Sequence, residues 1–301
     1  MQRLISLPNL ALAAALLVSL VGTVHAEAKN VCLMLYMVAD NNLEAFLASD
    51  ILELLGSDGI SQPTLNTWIY FDPHGGMYDY DQDGLPESPF FDENRPMIFT
   101  YDHTEQDLVY KFGFEEVSSS DDPSVLCSFL QIALAGCVEK GANEYVLAFS
   151  GHGGGHAGFG GDDNIFRRRH LLQSNADAVS GIQCGLDGVE GAPNQLDLID
   201  FDTCLMSSFQ AVEVFSPMTK YILASEATEP GHGWYWNLPV TGVESALAMG
   251  TELMSSYISE TQNPLDAGKH LTPKTLSLID TSSGFPNFLE SFETFVDELR
   301  T

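Results

Sequence analysis

Val31-Cys32-Leu33-Met34-Leu35-Tyr36-Met37-Val38 runs without a single charge. An apolar run of strand length, with no alternation, fits a strand covered on both faces, as inside a parallel sheet. Asp40-Asn41-Asn42 follow and can cap a helix, because short polar side chains accept its first N–H groups. Leu43, Phe46, Leu47, Ile51, Leu54 and Leu55 then recur at steps of three and four, predicting an amphipathic helix that ends near Gly56. Further strands are expected at 65–71, 145–149, 196–201, 221–224 and 275–279. Helical patterns lie between them at 123–138, 205–215, 243–259 and 288–299, the first opened by Asp122-Pro123. Strands alternating with helices predict an α/β fold with a mostly parallel central sheet flanked by helices. Residues 72–107 and 156–195 are rich in Asp, Gly and Pro, show neither period, and read as long irregular segments.

The 301 residues carry 12 Lys and Arg against 42 Asp and Glu, a formal net charge of −30. Such a chain repels phosphate backbones, which argues against a nucleic-acid partner. With 45% hydrophobic and 18% charged residues it has the composition of a globular protein with a sizeable core.

The amino terminus reads as a signal peptide over residues 1–26: Arg3, an apolar run at 10–21, then Val24-His25-Ala26 with small residues at the positions a signal peptidase needs. The mature chain, 27–301, is then one secreted domain. No later run approaches the ~20 apolar residues of a membrane span. All five cysteines, Cys32, Cys127, Cys137, Cys184 and Cys204, lie in it, and the odd count leaves at least one thiol unpaired. Cys127 and Cys137 share a predicted helix, where their separation of about 15 Å forbids a bond between them. Cys32, Cys127 and Cys137 read as buried apolar thiols.

In an open parallel sheet the site lies beyond the carboxyl ends of the strands. Two predicted strands end in reactive groups: 145–149 runs into Ser150-Gly151-His152-Gly153-Gly154-Gly155, and 196–201 into Asp202-Thr203-Cys204. A cysteine beside an imidazole is a nucleophile with its proton carrier. Cys204 also stands at the start of the predicted helix 205–215, whose dipole would favour a thiolate. Gly153 permits close backbone approach, so its N–H and that of Cys204 could form an oxyanion hole. The arrangement suggests acyl transfer. His152 and His156 do not make a zinc pair, because that spacing needs a helix and three glycines intervene.

Four phrases in order, residues 35–44, 151–155, 200–208 and 224–234, closely resemble the clostripain family of cysteine peptidases, which have the caspase-like fold. The resemblance runs from about Val31 to the end. It implies a caspase-like α/β sandwich carrying a secreted endopeptidase that cuts protein and peptide substrates after Arg or Lys. His152 and Cys204 would form a catalytic dyad without a third member, and the chemistry would need no cofactor. Asp202, two before the nucleophile, would receive the substrate's basic side chain, as a buried carboxylate can by charge-assisted bonds; a helix N-cap is its plainer role. The family usually has Asp and Ala where this chain has Gly151 and Thr203. The resemblance also implies a further carboxy-terminal portion.

Two other stretches stand out. Arg167, Arg168 and Arg169 hold three of the 12 basic residues and lie between His152 and Cys204, where family members process themselves. The resemblance makes them a processing site within a loop near 156–195, with the chain made as a zymogen. Asp79, Asp81 and Asp83, with Gly84, make the first half of a calcium loop, but the twelfth position is Phe90 rather than Glu, so a solvated acidic turn fits equally. The rival to an enzyme is an inactive secreted binding protein on the same fold, calcium-binding at that loop, with Gly151 as its main support.

Overall fold

A computed structural model describes residues 29–73, 95–114, 118–161, 172–259 and 274–300. The segment 1–26, the calcium candidates Asp79, Asp81 and Asp83, and the processing candidates Arg167, Arg168 and Arg169 all lie outside the described residues.

The centre is an eight-stranded sheet. In chain order its strands are β1 (Val31–Ala39), β2 (Leu65–Pro73), β3 (Met97–Asp102), β4 (Asp107–Gly113), β5 (Glu144–Ser150), β8 (Leu196–Asp202), β9 (Thr219–Ala224) and β10 (Ser277–Asp280). A two-stranded ribbon, β6 (His152–Gly153) with β7 (Phe159–Gly160), stands apart. Across the sheet the order is β10-β9-β8-β5-β1-β2-β3-β4. The five middle strands are parallel, and β10, β3 and β4 close the edges antiparallel.

β1 shows why its sequence has no alternation: both faces are covered. Cys32, Met34, Tyr36 and Val38 pack with α2 (Pro123–Glu139), α3 (Asn175–Asp187) and α4 (Phe209–Phe215). Phe285, in α6 (Gly284–Leu299), joins that layer. Val31, Leu33, Leu35, Met37 and Ala39 pack with α1 (Glu44–Leu55) and α5 (Ala246–Ser259) on the other face. The helix–sheet–helix sandwich is the architecture the sequence predicts.

Three local expectations are corrected. Residues 72–107 are not irregular throughout, since β3 lies within them and continues into β4. The antiparallel pairing of β3 with β2 supplies a partner that its short apolar stretch, flanked by polar residues, does not advertise. Residues 156–195 contain a thirteen-residue helix, α3, capped by Ser174, whose Oγ accepts the N–H of Asp177. Gly181 and Gly185 weaken its helical signal, and packing explains both. A Cβ on Gly181 would lie 2.9 Å from Leu126 Cδ2, and one on Gly185 2.5 Å from Leu130 Cβ, so the glycines let α3 approach α2 closely. Finally, the helix expected at 205–215 begins only at Phe209, capped by Ser208.

The cysteines also differ from expectation. Cys32 and Cys137 form a disulfide, as do Cys127 and Cys184; Cys204 is the free thiol. Cys127 and Cys137 indeed do not join each other, but neither they nor Cys32 are thiols. The cause is tertiary: the last turn of α2 meets the start of β1, and α3 lies along α2. The bridges close 105 and 57 residues of chain, worth about 5 and about 4 kcal/mol in the chain-entropy account.

Candidate active site

The site forms where β1, β5 and β8 end side by side. Strand order reverses between β1 and β5, the topological switch point at which open α/β sheets bind ligands. Ser150 pairs with Asp202 in the parallel register, so the residues after each strand leave the sheet as neighbours. Gly151 N–H donates to Asp202 O (3.3 Å), joining the two exits. A Cβ added to Gly153 would lie 2.1 Å from Cys204 O and 2.5 Å from Cys204 N, closer than real Cβ atoms come. The histidine loop is therefore seated directly on the backbone of Cys204, bringing together His152, Gly153, Asp202 and Cys204 as the sequence predicts.

His152 is held on the short β6–β7 ribbon. Its Nε2 lies 2.8 Å from Oδ1 of Asn42, from the turn after β1. With the amide oxygen so assigned, Nε2 carries the proton and Nδ1 keeps the basic lone pair. That turn is fixed by the buried Asn41, whose Nδ2 donates to Val38 O (2.9 Å) and Gly161 O (3.0 Å) and whose Oδ1 accepts Leu43 N–H (2.9 Å). The sequence reading names no partner for the His152 ring, and Asn42 is one. Gly151 has φ of +146°, a region that side chains with a Cβ rarely adopt. The glycine in place of the family's usual Asp is thus required by the backbone at this position.

Cys204 is partly exposed and sits in a tight turn, not at a helix start. α4 begins five residues later, so the dipole effect expected from sequence does not operate at the sulfur. The turn is tied instead to the stretch after β9: Leu205 N–H donates to Ala227 O (3.1 Å), Ser207 N–H to Ser225 O (2.9 Å), and Glu229 N–H to Cys204 Sγ (3.2 Å).

Asp202 is buried, pointing to the α1–α5 face of β8. Its Oδ1 accepts Trp234 N–H (3.1 Å) and its Oδ2 the indole N–H of Trp236 (3.3 Å). Burial pushes its pKa from 3.8 to about 7, against the lowering effect of those two bonds, and Glu53 adds to the rise. Burial also raises Asp50 and Glu229, each further by Asp202. Oδ2 of Asp50 is buried without a hydrogen-bond partner among the described residues. Among the described residues, the charged groups that shift Asp50, Asp202 and Glu229 are one another, Glu53 and Cys204. Buried carboxylates are normally paired, so this group is chemically suited to receive a positive charge. Asp202 caps no helix, which removes its plainer role.

Among the described residues no group of His, Cys, Asp or Glu is suited to a metal, and no helix is long and apolar enough to cross a membrane. Asn42, Asp50, Glu53, Glu229, Trp234 and Trp236 are absent from the sequence-derived site. Asn42, Glu229 and Trp234 do stand in the phrases that carry the resemblance, but spacing alone gives them no task.

The sequence profile of the clostripain family matches residues 35–301. The chain belongs to the clostripain family. Clostripain of Hathewaya histolytica is 29% identical over 201 residues, covering 63% of this chain and 36% of that protein. The chain therefore spans little more than a third of that relative's length. Two solved clostripain-family structures share the fold. A secreted C11 cysteine protease from Bacteroides thetaiotaomicron, bound to an irreversible peptide inhibitor, is 17% identical with a TM-score of 0.61, over 84% of this chain and 66% of that one. An inactive zymogen C11 protease from Parabacteroides distasonis is 16% identical with a TM-score of 0.59, over 85% and 63%.

Proposed function

We propose that this clostripain-family chain is a secreted cysteine endopeptidase that cleaves after Arg or Lys. The observation that carries the proposal is the adjacency, at the ends of two neighbouring strands, of a lone free thiol, an oriented imidazole and a cluster of buried carboxyl groups. Cys204 attacks the scissile carbonyl carbon as thiolate; His152 takes the thiol proton and later delivers it to the leaving amine. The N–H groups of Gly153 and Cys204 face the developing oxyanion. Asp202, with Asp50 beside it, receives the guanidinium or ammonium of the residue before the cut. Water then hydrolyses the thioester and regenerates the thiol. The two disulfides support export through an oxidising compartment, in line with the signal peptide read at 1–26.

Paired reporter substrates ending in Arg, Lys and Asp test this reading. Turnover of the basic pair alone, lost in Cys204→Ala, is the expected result, and turnover surviving that substitution would refute the mechanism. Self-cleavage at Arg167, Arg168 and Arg169 belongs to the same reading. The bridge between Phe159 and Gln173 holds the flanks of that segment beside the histidine loop. A triple Ala variant that still matures with unchanged termini would remove the assignment. Calcium at Asp79, Asp81 and Asp83 is tested by calorimetric titration, where absence of heat ends it. The inactive-binder alternative predicts no turnover of any of the three reporters.

A further inference from the structure

The hydrogen bonds behind the nucleophile form one unbroken chain. Glu53 Oε2 accepts Trp236 N–H (3.1 Å), and the Trp236 indole donates to Asp202 Oδ2 (3.3 Å). Asp202 Oδ1 accepts Trp234 N–H (3.1 Å), and the Trp234 indole donates to Glu229 Oε1 (3.0 Å). Glu229 N–H ends the chain at Cys204 Sγ (3.2 Å). An indole has one donor, so each tryptophan binds one carboxylate through its ring and another through its backbone. Both rings are fully buried, which fixes the order of the links. Glu229 thus contacts both the acidic pocket and the sulfur.

We propose that Glu229 is a positioning residue that couples the pocket to the nucleophile. This rests on the reading of Asp202 as the receptor for a basic side chain. Its carboxylate forms a second acidic wall facing the bound cation, and its backbone N–H fixes Cys204 Sγ. An empty pocket, once ionised above pH 7, leaves Glu229 and Asp202 in mutual repulsion and carboxylate charge beside the sulfur, where it disfavours a second negative charge. A guanidinium, with five donors in a fork, can bond both carboxylates at once and offset that charge. Seating the correct substrate therefore readies the nucleophile.

The test is alkylation of Cys204 by iodoacetamide in the full chain, with and without n-butylguanidine, which fills a basic-residue pocket but carries no scissile carbonyl. In the wild type, saturating butylguanidine should accelerate alkylation about three- to tenfold, a change in thiolate population of the size one added charge produces. Glu229→Gln keeps an oxygen for the Trp234 indole but removes the charge. It should react faster without the ligand and respond little to it. A wild-type rate indifferent to bound butylguanidine, or a Glu229→Gln response equal to wild type, overturns the coupling. If Glu229→Gln fails to fold, Trp234→Phe, which removes the indole donor and keeps an aromatic ring, should show the same loss of response, and a full response there overturns the proposal. Calorimetry separates the two layers: no butylguanidine binding, or binding untouched by Asp202→Asn, overturns the pocket and the coupling with it.

Discussion

Gly153 rests against the main chain of Cys204, with no room between them for even a methyl group. The contact sets the distance from the histidine loop to the nucleophile, so the backbone of two loops, rather than any long side chain, defines the reacting geometry. Gly153→Ala must push the loops apart. We expect hydrolysis of an Arg-amide reporter to fall by about 100-fold or more, since misplacement of about 1 Å costs that much. Far-ultraviolet circular dichroism and both disulfides should be retained. Steady-state kinetics on the purified variant decide it.

Asn42 holds His152 through Nε2, which leaves Nδ1 as the base in the proposed mechanism. Asn42→Ala frees the ring to turn and should lower kcat by about ten- to a hundredfold while leaving KM for an Arg substrate near wild type, the pattern of a group needed in the transition state alone. A change confined to KM would contradict the assigned role.

The acidic pocket makes a signed statement about pH. Asp202 titrates near 7 when folded against 3.8 ordinarily, and Asp50, Asp200 and Glu229 shift the same way. Between these values the folded chain keeps protons the unfolded chain has released, so stability falls as pH rises from about 4 to 7. Thermal melts should show a higher Tm at pH 5 than at pH 8 without ligand. Asp202→Asn should shrink the difference, and butylguanidine should raise Tm more at pH 8 than at pH 5.

Removing one bridge separates stability from chemistry. The double variant Cys127→Ser/Cys184→Ser should lose about 4 kcal/mol, a drop in Tm of roughly 8–16 °C for a domain of this size. Its kcat at 20 °C should stay within a factor of two, because neither sulfur approaches Cys204.

The legible parts of this sequence are those in which one local signal dominates. β1 is uniformly apolar because both faces are covered, and His152 and Cys204 stand out because strand ends place them. What stays hidden depends on partners distant in sequence. α3 carries glycines that look like loop residues until α2 is laid against them, and β3 is brief until β2 pairs with it. The pairing of Cys32 with Cys137 follows from α2 crossing the sheet, which spacing cannot express. Asn42, Glu229 and Trp236 are ordinary polar or aromatic residues in sequence and acquire roles only when three strand ends and the stretch after β9 converge.

Both covalent bridges lie on one side of the sheet, joining β1, α2 and α3, while α1, α5 and the two tryptophans on the opposite side are held by packing and hydrogen bonds without a covalent link. The molecule is thus reinforced unevenly. Amide exchange should be slowest in α2 and β1 and markedly faster in α1 and α5. The layer that carries Trp234, Trp236 and the buried carboxyl of Asp202 is then the first to breathe, so that solvent should reach these carboxyl groups before it reaches the bridged side.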